Sequence, residues 1–262
     1  MMQAVILAAG RGSRLRPKTN TTPKEMIPIR GRPMIEYVLD VIRAGGIRRV
    51  GIVISPQKTP LMQHLGSGSR FGISIAYLIQ EEPRGTAHAL SVAREFIDND
   101  FILAYGDTYI KPSEVLKSML VYHQRLNPAG TILLHYIDDP TSGGIVRLDK
   151  DGRILQLVEK PTRTQAQALR QNGRYLNIGG LMILKPEIFD YLDRVSPGRN
   201  GELWLTDALE LMRQDNKLLY GFIHKGLRLD LGTFSNITMA ERDPIPHSTF
   251  SQFRKSEDGQ TR

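Results

Sequence analysis

The chain contains no cysteine, which excludes disulfides, Cys-ligated zinc and iron–sulfur clusters. It holds a single tryptophan, and nowhere does it interleave aromatic with basic residues or gather Lys and Arg into one block. Its excess of basic residues, a formal charge of +8, is therefore scattered along the chain. That pattern suits small polyphosphates better than nucleic acid. No stretch approaches the roughly 20 apolar residues of a membrane span. The opening MMQAVILAAG lacks a positive leader and runs at once into Arg11, Arg14 and Arg16, unlike a secretory signal. A soluble, cytoplasmic protein without membrane or nucleic-acid partners is expected. The six histidines form no i, i+4 metal pair, and ordinary structural roles are expected for them. No Gly-x-Ser-x-Gly element marks a covalent nucleophile.

What is present is a regular alternation. Short Val- and Ile-rich runs at 4–7, 50–54, 73–79 and 101–105 are separated by amphipathic stretches at 34–44, 86–96 and 115–125. This order predicts an α/β fold built on a mostly parallel sheet. Beyond residue 130 the runs at 131–136, 144–148 and 154–158 follow one another as strands, the last two joined by a hairpin-type Asp149-Lys150-Asp151-Gly152. A strand at 175–184, helices from about 186 and over 205–213, and a strand at 218–223 complete the body. One domain over 1–243 is expected, with a change of texture between 1–130 and 131–243. Residues 244–262, polar and rich in charge, read as a flexible tail.

The first strand ends in Leu7-Ala8-Ala9-Gly10-Arg11-Gly12-Ser13-Arg14-Leu15. Ligands of open α/β sheets bind at such carboxyl ends, and small residues let backbone N–H groups approach phosphate. Arg14 and Lys24 add positive charge. The dinucleotide fingerprint requires glycine where Leu15 stands, and no Gly-Lys-Ser/Thr step completes a Walker A loop. Leu15 thus argues against the rival reading of a dinucleotide-dependent oxidoreductase.

Further along, Gln80 precedes Pro83, Gly85 and Thr86, and its amide offers a donor and an acceptor to a nucleobase edge. Thr86 is also positioned to cap the helix that follows. Asp107 closes the fourth strand, where a carboxylate suits a hard cation such as Mg²⁺. Glu159-Lys160-Pro161 follows a later strand, and for Glu202-Leu203-Trp204-Leu205-Thr206-Asp207 a helix cap at Thr206 or Asp207, with Trp204 in the core, is the alternative to a place in the site.

The run LAAGRGSRLRPKTNTTPKEMIPIRGRPMI resembles the signature of the sugar-1-phosphate nucleotidyltransferases, of the glucose-1-phosphate thymidylyl- and uridylyltransferase type. The likeness extends over about residues 3 to 240. It implies a Rossmann-like sheet flanked by helices, with an inserted small β-rich sugar-binding subdomain, 1–130 being mainly the nucleotide-binding core and 131–243 mainly the sugar-phosphate part. It implies nucleotide binding by Leu7, Ala9, Gly10, Gly12, Ser13, Arg14, Lys24, Gln80, Pro83, Gly85 and Thr86, with Arg14, Lys24 and Lys160 as the catalytic cations. Gly144, Glu159, Lys160 and Asn177 would bind the sugar phosphate, and Asp107 and Asp230 would hold Mg²⁺. The expected substrates are dTTP or UTP and a hexose-1-phosphate, glucose-1-phosphate first. A mannose-1-phosphate guanylyltransferase and a non-catalytic regulatory member are the alternatives, the latter opposed by the intact set of charged groups. Homo-oligomers are usual in such a family. The chain leaves no room for an appended β-helix acyltransferase domain, so a bifunctional enzyme is not expected.

Overall fold

The computed structural model describes residues 2–198 and 201–243; the expected tail at 244–262 lies outside them. β1 (Gln3–Leu7) is entirely buried and leads into the glycine loop. A short ribbon, β2 (Pro28–Ile29) and β3 (Arg32–Pro33), precedes α1 (Met34–Ala44). The chain continues through β4 (Arg49–Ile54), α2 (Thr59–Leu65), β5 (Ser74–Ile79), α3 (Thr86–Ser91), β6 (Phe101–Tyr105) and β7 (Thr108–Lys111). α4 (Val115–Leu126) follows, then β8 (Gly130–Ile137), β9 (Gly144–Leu148), β10 (Ile154–Glu159), α5 (Arg163–Gln167) and β11 (Tyr175–Leu184). α6 (Ile188–Leu192), α7 (Leu205–Gln214), β12 (Leu219–Ile223), β13 (Leu227–Asp230) and α8 (Phe234–Glu241) close the fold.

Nine strands form one sheet in the order β10-β9-β11-β6-β1-β4-β5, with β8 beside β11 and β12 beside β8. The half around β1 is parallel: β1 pairs with β4 and β6, and β4 with β5. The other half turns largely antiparallel around β11, which pairs with β6, β8 and β9. β11 is therefore the seam between the halves. Its register against β8 shifts between Ile178 and Met182, at Gly179-Gly180. Gly180 sits at φ 78°, and a Cβ there would lie 2.5 Å from the Thr108 hydroxyl.

Alternating residues of β1 face two cores, as the two-residue period of a strand requires. Ala4 and Ile6 pack with Ile35, Leu39 and Ile42 of α1 and Leu116 and Met119 of α4. Val5 and Leu7 pack toward α3, α6 and α7. A third cluster joins Leu15, Ile27, Tyr37, Tyr109, Leu229 and Leu231. It fastens the glycine loop to a second ribbon, in which β13 runs antiparallel to β7.

Two expectations need correction. The helix expected over 86–96 ends at Ser91, and a separate 3-10 turn covers Arg94–Phe96. Thr86 does not cap α3; Gly85 stands at that position without a side-chain bond. Among the described residues no helix is long and apolar enough to cross a membrane.

Candidate active site

Two adjoining cavities open where the parallel half of the sheet meets the antiparallel half. The first, about 470 Å³, lies against the carboxyl end of β1 and contains every residue expected to bind nucleotide except Arg14. The second, about 770 Å³, holds Arg14 together with Gly144, Glu159, Lys160, Asn177 and Asp230. Thr86, Tyr105, Asp107 and Trp204 belong to both walls, so the two spaces share one boundary. Residues separated by some 200 positions in the sequence thus meet in one cleft.

The glycine loop is held from behind. Ala8 N–H donates to Val53 O at 2.8 Å, Thr19 hydroxyl donates to Gly12 O at 2.9 Å, and Leu15 is fully buried. Gly12 is left-handed at φ 65°. The N–H groups of Ala9, Gly10, Arg11 and Gly12 donate to no described residue. Such a run of unengaged donors is what an anion requires. Lys24 reaches under the loop from a 3-10 turn, and its Nζ lies 3.1 Å from where a Cβ on Gly10 would stand.

The segment 84–87 at the first cavity is fastened to the segment 203–205 by three bonds. Leu203 N–H donates to Arg84 O at 2.8 Å, Ala87 N–H donates to Leu203 O at 2.9 Å, and Leu205 N–H donates to the Thr86 hydroxyl at 3.0 Å. Gly85, at φ 107°, is required here: a Cβ would lie 2.7 Å from the Leu203 backbone nitrogen.

Asp107 and Asp230 come together through the β7–β13 ribbon, in which Asp230 faces Thr108 and Leu231 N–H donates to Asp107 O at 2.9 Å. Lys24 Nζ lies 2.5 Å from Asp107 Oδ2, and Arg14 lies 3.7 Å from Asp230. Burial pulls the Lys24 pKa down, but the charges of Asp107 and Glu25 outweigh it and the net shift is upward. Burial raises the Asp107 carboxyl, and Lys24 more than reverses this, leaving it below its ordinary range. Two such carboxylates could hold a hard divalent cation. Among the described residues no group of three or more His, Asp or Glu gathers, so other donors would be phosphate oxygens and water. That donor set fits Mg²⁺.

In the second cavity Lys160 is left-handed at φ 42°, and its Nζ lies 3.6 Å from the Trp204 ring centroid. A cation over an indole face is attracted by the ring quadrupole. Burial raises the Glu159 pKa, against the Thr206 hydroxyl that donates to Glu159 Oε2 at 2.6 Å. Asn177 Nδ2 donates to Gly144 O at 3.2 Å. Of the two readings of 202–207, the cap at Thr206 or Asp207 is not the one seen, since Trp204 occupies the cap position of α7. Trp204 itself stands at the start of α7 without a side-chain cap, and it lines the cleft rather than the core.

Several wall residues carry no motif. Arg228 of β13 enters the second cavity, donating from Nε to Gly179 O at 3.0 Å, with Nη1 3.5 Å from His135 Nε2. Burial, then the charge of Arg228, lowers the His135 pKa to about 3. His88 Nδ1 meets Gln80 Nε2 at 2.9 Å. The strand periodicity of Leu227–Asp230, which puts Arg228 and Asp230 on one face, was the one signal available for Arg228.

The profile of the Nucleotidyl transferase family matches residues 3–244. The low-salt glycan biosynthesis nucleotidyltransferase Agl11 of Haloferax volcanii is 30% identical over 92% of this chain, which spans 65% of that protein. A glucose-1-phosphate thymidylyltransferase of Streptomyces griseus is likewise 30% identical, with the same 92% and 65% coverage. The crystal structure of a UDP-glucose pyrophosphorylase complexed with UDP-glucose superposes with a TM-score of 0.81 at 25% identity, covering 92% of this chain and 97% of that one. The chain thus spans just under two thirds of the length of the first two relatives.

Proposed function

This chain belongs to the nucleotidyl transferase family, and from that premise we propose that it joins a nucleoside triphosphate to a hexose-1-phosphate, releasing pyrophosphate. dTTP or UTP is the favoured triphosphate and glucose-1-phosphate the favoured acceptor. One observation supports this above the others. A nucleotide-sized cavity with unengaged N–H donors and a larger polar cavity share a wall at Asp107, and Lys24, Arg14 and Lys160 stand around it.

In this reading Gln80 and Gly85 meet the base, and the loop N–H groups with Lys24 and Arg14 take the triphosphate. Lys160, seated on Trp204, takes the sugar phosphate, while Glu159, Asn177 and the Gly144 backbone receive sugar hydroxyls. A phosphate oxygen of the sugar phosphate attacks the α-phosphorus in line, and the bond to the departing pyrophosphate breaks. No general base is needed, because a phosphate monoester with a second pKa near 6 is already largely ionised. The task is to align two anions and offset their repulsion. Mg²⁺, when bound by Asp107 and Asp230, would add charge neutralisation at the phosphate oxygens. The charged set is complete, which favours an active enzyme over a regulatory homologue.

The test is a pyrophosphate-release matrix of the common nucleoside triphosphates against glucose-, N-acetylglucosamine-, galactose- and mannose-1-phosphates. Release confined to UTP or dTTP with glucose-1-phosphate is the expected result. Release with GTP and mannose-1-phosphate alone would replace this assignment by a guanylyltransferase.

A further inference from the structure

We propose that His88, together with the Gly85 carbonyl, holds the polarity of the Gln80 amide, and through it restricts the site to nucleobases that present a ring N–H. The proposal rests on the nucleotide-binding reading above and adds to it a positioning residue and a reason for base choice.

Gln80 is buried, and its backbone is fixed at the end of β5, where its N–H donates to Ile54 O at 2.8 Å. Its Nε2 has two neighbours on the protein side: His88 Nδ1 at 2.9 Å and Gly85 O at 3.4 Å. A carbonyl oxygen only accepts, so the Gly85 contact is satisfied only with the nitrogen of the amide on that side. His88 Nδ1 then also accepts, which fixes the imidazole as the tautomer protonated on Nε2. Both amide hydrogens are thereby used. Turning the amide over would set two oxygens against each other at Gly85 and would require a proton on His88 Nδ1.

The remaining atom, Gln80 Oε1, accepts from no described residue and stays accessible at the wall of the first cavity. It therefore offers an acceptor to the incoming base. Uracil and thymine present N3–H and are matched. Cytosine and adenine present a ring lone pair at the corresponding edge, which would face the Gln80 oxygen without a proton between them. The Gly85 N–H donates to no described residue and is available to a neighbouring base carbonyl. His88 touches no substrate in this account and acts only through Gln80.

The test compares the wild-type chain with His88→Leu, which removes the acceptor, and His88→Asn, whose side-chain oxygen can restore one. Binding of UTP and of CTP to each is measured by calorimetry, alongside pyrophosphate release with glucose-1-phosphate. Wild type is expected to prefer UTP by at least about tenfold, since a site built to pair one hydrogen-bonding pattern rejects its opposite. His88→Leu leaves the amide held only by the longer Gly85 contact and should narrow the preference several-fold, mainly through weaker UTP binding, and His88→Asn should recover most of it. A folded His88→Leu protein with the wild-type preference would overturn the proposal, as would a wild type that binds both triphosphates equally. Should wild type bind UTP selectively yet release no pyrophosphate with any sugar phosphate, the transferase reading falls, and loss of binding preference in His88→Leu would still support the role of His88.

Discussion

Lys24 Nζ lies 2.5 Å from Asp107 Oδ2, so the cation assigned to the triphosphate and a carboxylate assigned to the metal neutralise each other in the free protein. The side chains are mostly buried, at 16% and 15% exposure, so neither charge is easily left alone. Lys24→Met should therefore cost about 3 kcal/mol of stability, as breaking a buried pair does, besides abolishing most turnover. Adding Asp107→Asn should restore part of that stability in urea unfolding. Strictly additive losses would show that the two groups are not coupled.

Lys24 is flanked by a second pair. Lys58 Nζ lies 2.6 Å from both oxygens of Glu25, which is fully buried. This pair anchors the turn that carries Lys24. Lys58→Met, leaving Glu25 uncompensated, should cost roughly 3–5 kcal/mol, while Glu25→Gln with Lys58→Met should cost less than Lys58→Met alone. Equal losses would contradict a paired role.

Arg14 is the opposite case. Its side chain is 65% exposed and its ion pair with Asp230 is long, at 3.7 Å. Arg14→Ala should change stability by less than about 1 kcal/mol yet lower kcat by roughly 10²–10³-fold. Wild-type turnover in that variant would remove Arg14 from the chemistry.

Much of this site was legible in the sequence because its residues sit in local runs at strand ends. The glycine loop, Gln80 and Glu159-Lys160 each follow a Val- or Ile-rich strand, and α1 matches its apolar spacing over Met34–Ala44. The β7–β13 ribbon was missed, since its two strands are about 120 residues apart and Thr108-Tyr109-Ile110-Lys111 shows no strong alternation. α8 was missed for a similar reason: Phe234 and Met239 are large apolar residues about half exposed, so its pattern is not that of a buried face. α2, a seven-residue helix that buries only Leu61 and Leu65, offers too short a period to read. Trp204 and Thr206 could also be read as core and cap because nothing local reveals Lys160 or Glu159 opposite them.

Trp204 should matter through Lys160. Trp204→Leu removes the ring beneath Nζ and should raise the KM for the sugar phosphate several-fold, a cation–π contact being worth on the order of 1 kcal/mol. Trp204→Phe should lie between. A sugar-phosphate KM unchanged by both would exclude the contact as a positioning device.

His135 predicts a pH dependence of stability. Its folded pKa, about 3, is depressed by burial and then by Arg228, with smaller contributions of the same sign from His224 and Arg174. The unfolded state thus binds more protons between about pH 3 and 6.5, so stability must fall as pH drops through that window. His135→Gln should flatten the fall by up to about 1.4 kcal/mol per pH unit. Parallel curves for variant and wild type would contradict it.

The central claim is nucleotidyl transfer onto a sugar phosphate, and mass spectrometry of the products tests it most directly. Incubated with Mg²⁺, UTP or dTTP, and glucose-1-phosphate, the protein should form one nucleotide-sugar per pyrophosphate, and neither product when the sugar phosphate is omitted. Release of inorganic phosphate in place of pyrophosphate, or no nucleotide-sugar from any pairing of triphosphate and sugar phosphate, would contradict it.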